Sequence, residues 1–249
     1  TAVSANYSAG DRITYALSLV NTGTAAITDY TVTDNLGGYT VGANTVYPLA
    51  YNAGTVRYYI NGVLQTAPTV TAGPPLTVTG LTVPAGGSAV LIYETTATPV
   101  APLATGSSIT NTATITGGGL TTPITAQATV ETANSAELSI SKALSPTTVT
   151  ENGQITYTFV ISNTGNTEAT ATGNVVVTDT FAPILRNIAV TYNGTAWTEG
   201  TNYTYNAATG VFTTLAGQIT VPAATFTQNT DGTFTVTPGT ATLVITGTV

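Results

Sequence analysis

The chain has 249 residues, which is enough for two domains of roughly 100–150 residues, each able to bury its own core. Only 6% of residues are charged, and the net charge of −7 leaves Arg12, Arg57, Lys142 and Arg186 as the cations, too few for a nucleic-acid or anionic-membrane surface. Cys and His are both absent, which excludes disulfides, thiolate metal sites and Ser-His-Asp or Cys-His catalysis; no apolar run reaches the ~18 residues of a membrane span.

In chain order, the first clear element is ITYALSL, where Ile13, Tyr15, Leu17 and Leu19 share one face and Thr14, Ala16 and Ser18 the other. That period of two predicts a half-buried strand. Turn formers follow at Asn21-Thr22-Gly23, Gly37-Gly38, Gly73-Pro74-Pro75 and Pro84-Ala85-Gly86-Gly87. Asn61-Gly62, between VRYYI and VLQ, predicts a hairpin, as does Asn193-Gly194 between IAVTY and TAW. A polar connector, ETANSAE, occupies 131–137. Beyond it the alternation resumes with Ile155, Tyr157, Phe159 and Ile161. Short strands at this spacing predict an all-β fold of two tandem immunoglobulin-like β-sandwich domains, 1–133 and 134–249. The second carries a longer central excursion, 195–237, with Trp197, Tyr203, Tyr205, Phe212, Phe226 and Phe234. These aromatics read as core and cross-strand packing, with a sugar-binding platform as the rival.

The two halves repeat. GDRITYALSLVNTG at 10–23 matches NGQITYTFVISNTG at 152–165, so that Ile13 maps onto Ile155, an offset of 142. From Asp34 to Asp179 the offset is 145, so the second copy has three extra loop residues. These phrases, with PAGGSAVL at 84–91 and ITNTATIT at 109–116, resemble the bacterial and archaeal surface repeat family called domain of unknown function 11. The pair of copies is similar to two-repeat clostridial surface proteins. The resemblance covers nearly the whole chain, although the second copy diverges after Asn187. It implies secretion and a structural or adhesive role at the cell surface.

Parity singles out four polar residues. In LSISKAL, Lys142, the chain's one lysine, shares a face with Leu138, Ile140 and Leu144. In ITNTATIT, Asn111 shares a face with Ile109, Ala113 and Ile115. Asp34 aligns with Tyr30 and Val32, and Asp179 with Val175 and Val177. All four are therefore expected to point inward. A lysine, an asparagine and a carboxyl in one apolar core are what an autocatalytic isopeptide bond requires: burial favours the neutral amine, and a protonated carboxyl polarises the amide. The other reading is that Lys142 reaches solvent along its stem and Asn111 satisfies a buried backbone group. Glu94 is a rival acid, but it alternates with Leu91 and Tyr93 and so faces outward.

Applying the offset places the first copy's lysine just before Thr1, and the second copy stops before any counterpart of SSITNTATITG. Either the chain is a stretch of a longer array, or a strand arrives from another subunit. Head-to-tail strand addition propagates as a filament. The expectation is thus a non-enzymatic structural subunit of an extracellular fibre, with copies of itself as partners, no nucleic acid and no membrane insertion. A surface adhesin or carbohydrate-binding module is the alternative. No calcium-loop run exists, so no metal and no cofactor are expected. Sequons at Asn6, Asn193 and Asn202 are possible glycosylation positions, though such matches are frequent in a Thr-rich chain.

Overall fold

The computed structural model describes all residues, 1–249. It divides into two compact units: unit 1 is Thr1–Ala133 with Thr227–Thr235, and unit 2 is Asn134–Phe226 with Val236–Val249.

Unit 1 begins with β1 (Asn6–Tyr7), β2 (Arg12–Val20), β3 (Ile27–Asp34), β4 (Tyr39–Val41), β5 (Asn44–Val46) and β6 (Leu49–Tyr51). It continues with β7 (Arg57–Ile60), β8 (Val63–Leu64), β9 (Thr69–Ala72), β10 (Leu76–Val83), β11 (Ser88–Ala97), β12 (Ser108–Gly117) and β13 (Ile124–Thr132). One sheet has the order β1-β13-β12-β3-β10-β9; the other has β2-β11-β7-β8, with β6 also beside β11. The alternation in the sequence is what joins them. Tyr30, Val32, Val78 and Ile115 from the first sheet and Ile13, Tyr58, Leu91 and Tyr93 from the second form one buried core. Each fully buried side chain of this size contributes about 1.5–3 kcal/mol.

Unit 2 contains β14 (Leu138–Ser145), β15 (Gln154–Asn163), β16 (Thr178–Thr180), β17 (Arg186–Tyr192) and β18 (Thr195–Trp197). These are followed by β19 (Tyr203–Asn206), β20 (Val211–Thr214) and β23 (Gly239–Thr248); between the last two, β21 (Thr225–Gln228) and β22 (Phe234–Thr237) pair with each other and run partly into the segment Thr227–Thr235 that belongs to unit 1. Its main sheet runs β14-β15-β23-β17-β18 and packs over the short sheet β16-β20-β19, through Tyr157, Phe159, Phe181, Phe212, Leu243 and Ile245. The alternation of Val175, Val177 and Asp179 extends beyond the strand that forms: β16 covers only Thr178–Thr180, and Val176 is exposed. Both Asn-Gly hairpins form. Asn61 and Gly62 have φ of 47° and 81°, and Asn193 and Gly194 have 49° and 79°, the two positive values a tight hairpin needs.

The repeated Asn-Thr-Gly has a physical task in each unit. Asn21 is buried, donates to the Ala25 and Pro84 carbonyls at 2.8 and 3.1 Å, and accepts from the Gly23 amide at 3.0 Å. Asn163 is also buried, donates to the Thr167 and Pro222 carbonyls at 2.7 and 3.0 Å, and accepts from Gly165 at 2.9 Å. Each asparagine thus clamps two loops whose backbone groups have no strand partner. Asn163 additionally accepts from the Glu137 amide at 2.9 Å, which ties the start of β14 to β15.

Candidate functional site

In unit 1 the site is built on the turn after β3. Asp34 is the last residue of β3, lying opposite Leu76 of β10 and Ala113 of β12. Its Oδ1 accepts from the Leu36 amide at 2.8 Å, an Asx turn that carries the chain into Leu36 and Gly37, both at positive φ. A side chain at Gly37 would meet Ile109 Cγ2 at 2.7 Å and Pro48 Cγ at 3.0 Å, so glycine is required there on two counts. The turn aims the Gly37 amide at Asn111 on β12, which accepts it through Oδ1 at 3.1 Å. The same asparagine donates from Nδ2 to Asp34 Oδ2 at 2.9 Å. Only this orientation of the amide satisfies both neighbours, since the Gly37 N–H can only donate. Tyr93, on β11, donates its hydroxyl to Asp34 Oδ2 and stacks on Tyr15 of β2 with ring centroids 5.7 Å apart.

Asp34 and Asn111 are 1% and 3% exposed. Burial pushes the Asp34 carboxyl above the usual range, partly offset by the three donors from Tyr93, Leu36 and Asn111. Burial likewise pushes the Tyr93 and Tyr15 hydroxyls up, and the nearby Asp34 adds to both. Tyr93 therefore stays protonated as a donor. The Tyr15 hydroxyl is buried and has no hydrogen-bond partner. It lies at a small cleft of about 20 Å³, lined also by Thr1, Leu17, Asp34, Tyr93 and Asn111.

In unit 2 the equivalent carboxylate is paired with the lysine. Lys142 Nζ lies 2.5 Å from Asp179 Oδ2 and sits over the rings of Tyr157, Phe159 and Phe181, at 4.7, 5.6 and 5.6 Å from their centroids. The inward direction of Lys142 holds, but the expected burial does not: every residue of β14 is exposed, including Leu138, Ile140 and Leu144, and the Lys142 side chain is 40% exposed. The reason lies in the sheet order. Within unit 2 no strand lies beyond β16, whereas β3 in unit 1 is flanked by β12. The structure therefore brings together Asp34 with Asn111 and Lys142 with Asp179, each pair in its own unit. Neither unit contains lysine, amide and carboxyl side by side.

Of the other residues singled out, Glu94 faces outward and pairs with Arg12 at 3.4 Å. Asn6 is exposed on β1. Asn193 accepts from the Thr242 amide at 2.8 Å, and Asn202 is engaged through both amide atoms, with Thr198 and Gln218. Trp197 stacks on Tyr192 at 4.8 Å, while Tyr203 and Phe212 are buried. The excursion's aromatics thus include these packing partners, while Phe226 and Phe234 are partly exposed. No three His, Cys, Asp or Glu side chains gather as metal ligands, and no helix is long and apolar enough to cross a membrane. The residues that sequence reasoning missed are Tyr15 and Tyr93. Their inward parity was visible, but their role at the carboxyl depends on β2 and β11 lying side by side over β3.

No family model matches the chain, and no curated protein does. Among solved structures the chain is similar to the collagen-binding domain of a Staphylococcus aureus adhesin, at 14% identity over 48% of this chain and 87% of that one, with a TM-score of 0.31. It is similar to the major pilin subunit BcpA of Bacillus cereus at 14% identity, 93% and 60% coverage and a TM-score of 0.34. A third is the pilus backbone protein RrgB of Streptococcus pneumoniae, at 13% identity, 95% and 50% coverage and a TM-score of 0.34. The chain thus spans 60% and 50% of these pilins' length. The all-β class of the chain rests on its own sheets.

Proposed function

We propose that the chain is a structural subunit of an extracellular surface fibre, in which units join head to tail by strand addition. The observation that carries this reading is β14. Its apolar row, Leu138, Ile140 and Leu144, is 39%, 54% and 42% exposed, and the row surrounds a lysine already paired with a carboxylate and caged by three rings. Exposed apolar strands with a free neighbouring edge aggregate unless covered. The occupant that fits is a strand carrying an asparagine next to Asp179, as β12 carries Asn111 next to Asp34 in unit 1. Lys142 would then attack that amide and release ammonia, leaving a covalent joint. The low charge suits a role in which subunits pack rather than repel. Electron microscopy of concentrated protein, followed by a denaturing gel, tests the reading. Fibres with a ladder resistant to boiling are expected; a protein that stays monomeric at high concentration overturns it.

A further inference from the structure

The two sandwiches match strand by strand. In unit 2, Tyr192 of β17 lies opposite Leu243 of β23, which lies opposite Phe159 of β15. In unit 1, Tyr58 of β7 lies opposite Leu91 of β11, which lies opposite Leu17 of β2, the repeat partner of Phe159. The two tyrosines also reach equivalent loops. Tyr192 donates its hydroxyl to the Thr220 carbonyl at 2.6 Å and Tyr58 donates to that of Thr82, each two residues before the proline held by Asn163 or Asn21. From there the hairpins differ. Thr195 lies opposite Tyr192, and two residues on, Trp197 covers that tyrosine, with ring centroids 4.8 Å apart and planes inclined at 24°. In unit 1, Gln65 donates its amide to the Tyr58 carbonyl at 2.8 Å, and two residues on stands Ala67, which is exposed. The place of the indole is held by a methyl group.

An open cleft of about 350 Å³ lies there, lined by Ala67, by Tyr58, Ile60 and Gln65 of the β7–β8 side, and by Thr79, Gly80 and Thr82 of β10. Gly80 sits at a φ of 74°, where the register of β10 against β3 shifts, and a side chain there would meet nothing within 4 Å. This bulge leaves space beside the strand instead of filling it. The Asn-Gly turn follows Tyr192 directly but comes three residues after Tyr58, so Ile60 and Val63 have no counterpart in unit 2. They lie opposite each other on one face of the hairpin, and Val63 is 63% exposed. No charged side chain lines the cleft. One wall is apolar and the other carries hydroxyls, which suits a flat ring with a polar edge.

We propose that this cleft binds one aromatic side chain, tryptophan best, presented by an uncharged segment of a partner polypeptide, as Trp197 occupies the same place within unit 2. The ring packs along Tyr58, Ile60 and Val63, and the indole N–H donates to a threonine hydroxyl on the β10 wall. Neither β14 nor Lys142 takes part, so the site is independent of strand addition.

The test is titration of the full chain with N-acetyl-L-tryptophan amide, followed by methyl and amide chemical shifts. The ring current should move the Ile60 and Val63 methyls and the Gly80 amide along one saturating curve. N-acetyl-L-leucine amide should bind about fivefold more weakly, the difference that an aromatic contact makes. Ala67→Trp lets the chain fill its own cleft and should abolish the response. Val63→Glu, at an exposed position, should weaken it about fivefold by bringing a charge to an apolar wall. Absence of a saturating response at Ile60, Val63 and Gly80 overturns the site, as does a response that survives both substitutions. An equal response to the leucine amide, or a larger one to methyl glucoside, overturns the assignment of the ligand as an aromatic side chain.

Discussion

Asn111 joins Asp34 at 2.9 Å across two neighbouring strands, β12 and β3, with both residues almost completely buried. A buried carboxyl with three donors but no cation is held in tension between two preferences. Burial favours its protonated form, and the donors favour its ionised form; burial prevails. Above its unfolded pKa, the folded state therefore binds more protons at Asp34 than the unfolded state does, and unit 1 loses stability as pH rises through that window. Subtracting the melting curve of Asp34→Asn from that of the unmodified chain, from pH 3 to 8, isolates this contribution. The difference should move against the unmodified chain as pH rises.

Tyr93→Phe removes the hydroxyl that favours the ionised form. The Asp34 carboxyl should then titrate at still higher pH, visible as a displaced carboxyl carbon chemical-shift curve. A curve moved to lower pH contradicts the assigned donor.

Gly37→Ala places a methyl against Ile109 and Pro48 at a residue whose φ is +67°. Left-handed strain and overpacking together should cost about 2–4 kcal/mol, read from the urea midpoint of unit 1. Gly42→Ala, also at positive φ but with nothing within 4 Å, should cost less.

Asn163→Ala strips acceptor and donors from four backbone groups and Asn21→Ala from a similar set. Each should lower the stability of its own unit by about 1–3 kcal/mol in denaturant unfolding. The Asn163 variant should also speed hydrogen exchange along β14, because it releases the Glu137 amide.

Lys142→Met keeps the stem over the three rings but removes the charge paired with Asp179. The side chain is well exposed, so the change in unit 2 stability should stay within about 1 kcal/mol. Under the fibre reading, the boiling-resistant ladder should vanish while strand addition persists.

Most of the fold could be read from period-two patterning: Ile13 and Tyr15, Leu91 and Tyr93, and Ile155 to Ile161 all face inward as their spacing dictates. The pairing of Asp34 with Asn111 was legible for the same reason, since both sit at inward parity on strands that carry repeat motifs. Burial of Lys142 was not. Parity tells which way a side chain points from its strand, and says nothing about whether a second layer lies over it. The unpartnered hydroxyl of Tyr15 was equally hidden, because the pattern of one strand does not show which polar atoms of other strands come within its reach.

Asp34 of β3 receives Asn111 from β12 in its own sheet and Tyr93 from β11 in the facing sheet. The carboxyl is thus a rivet through the core, and neither sheet can slide over the other until it is unpaired.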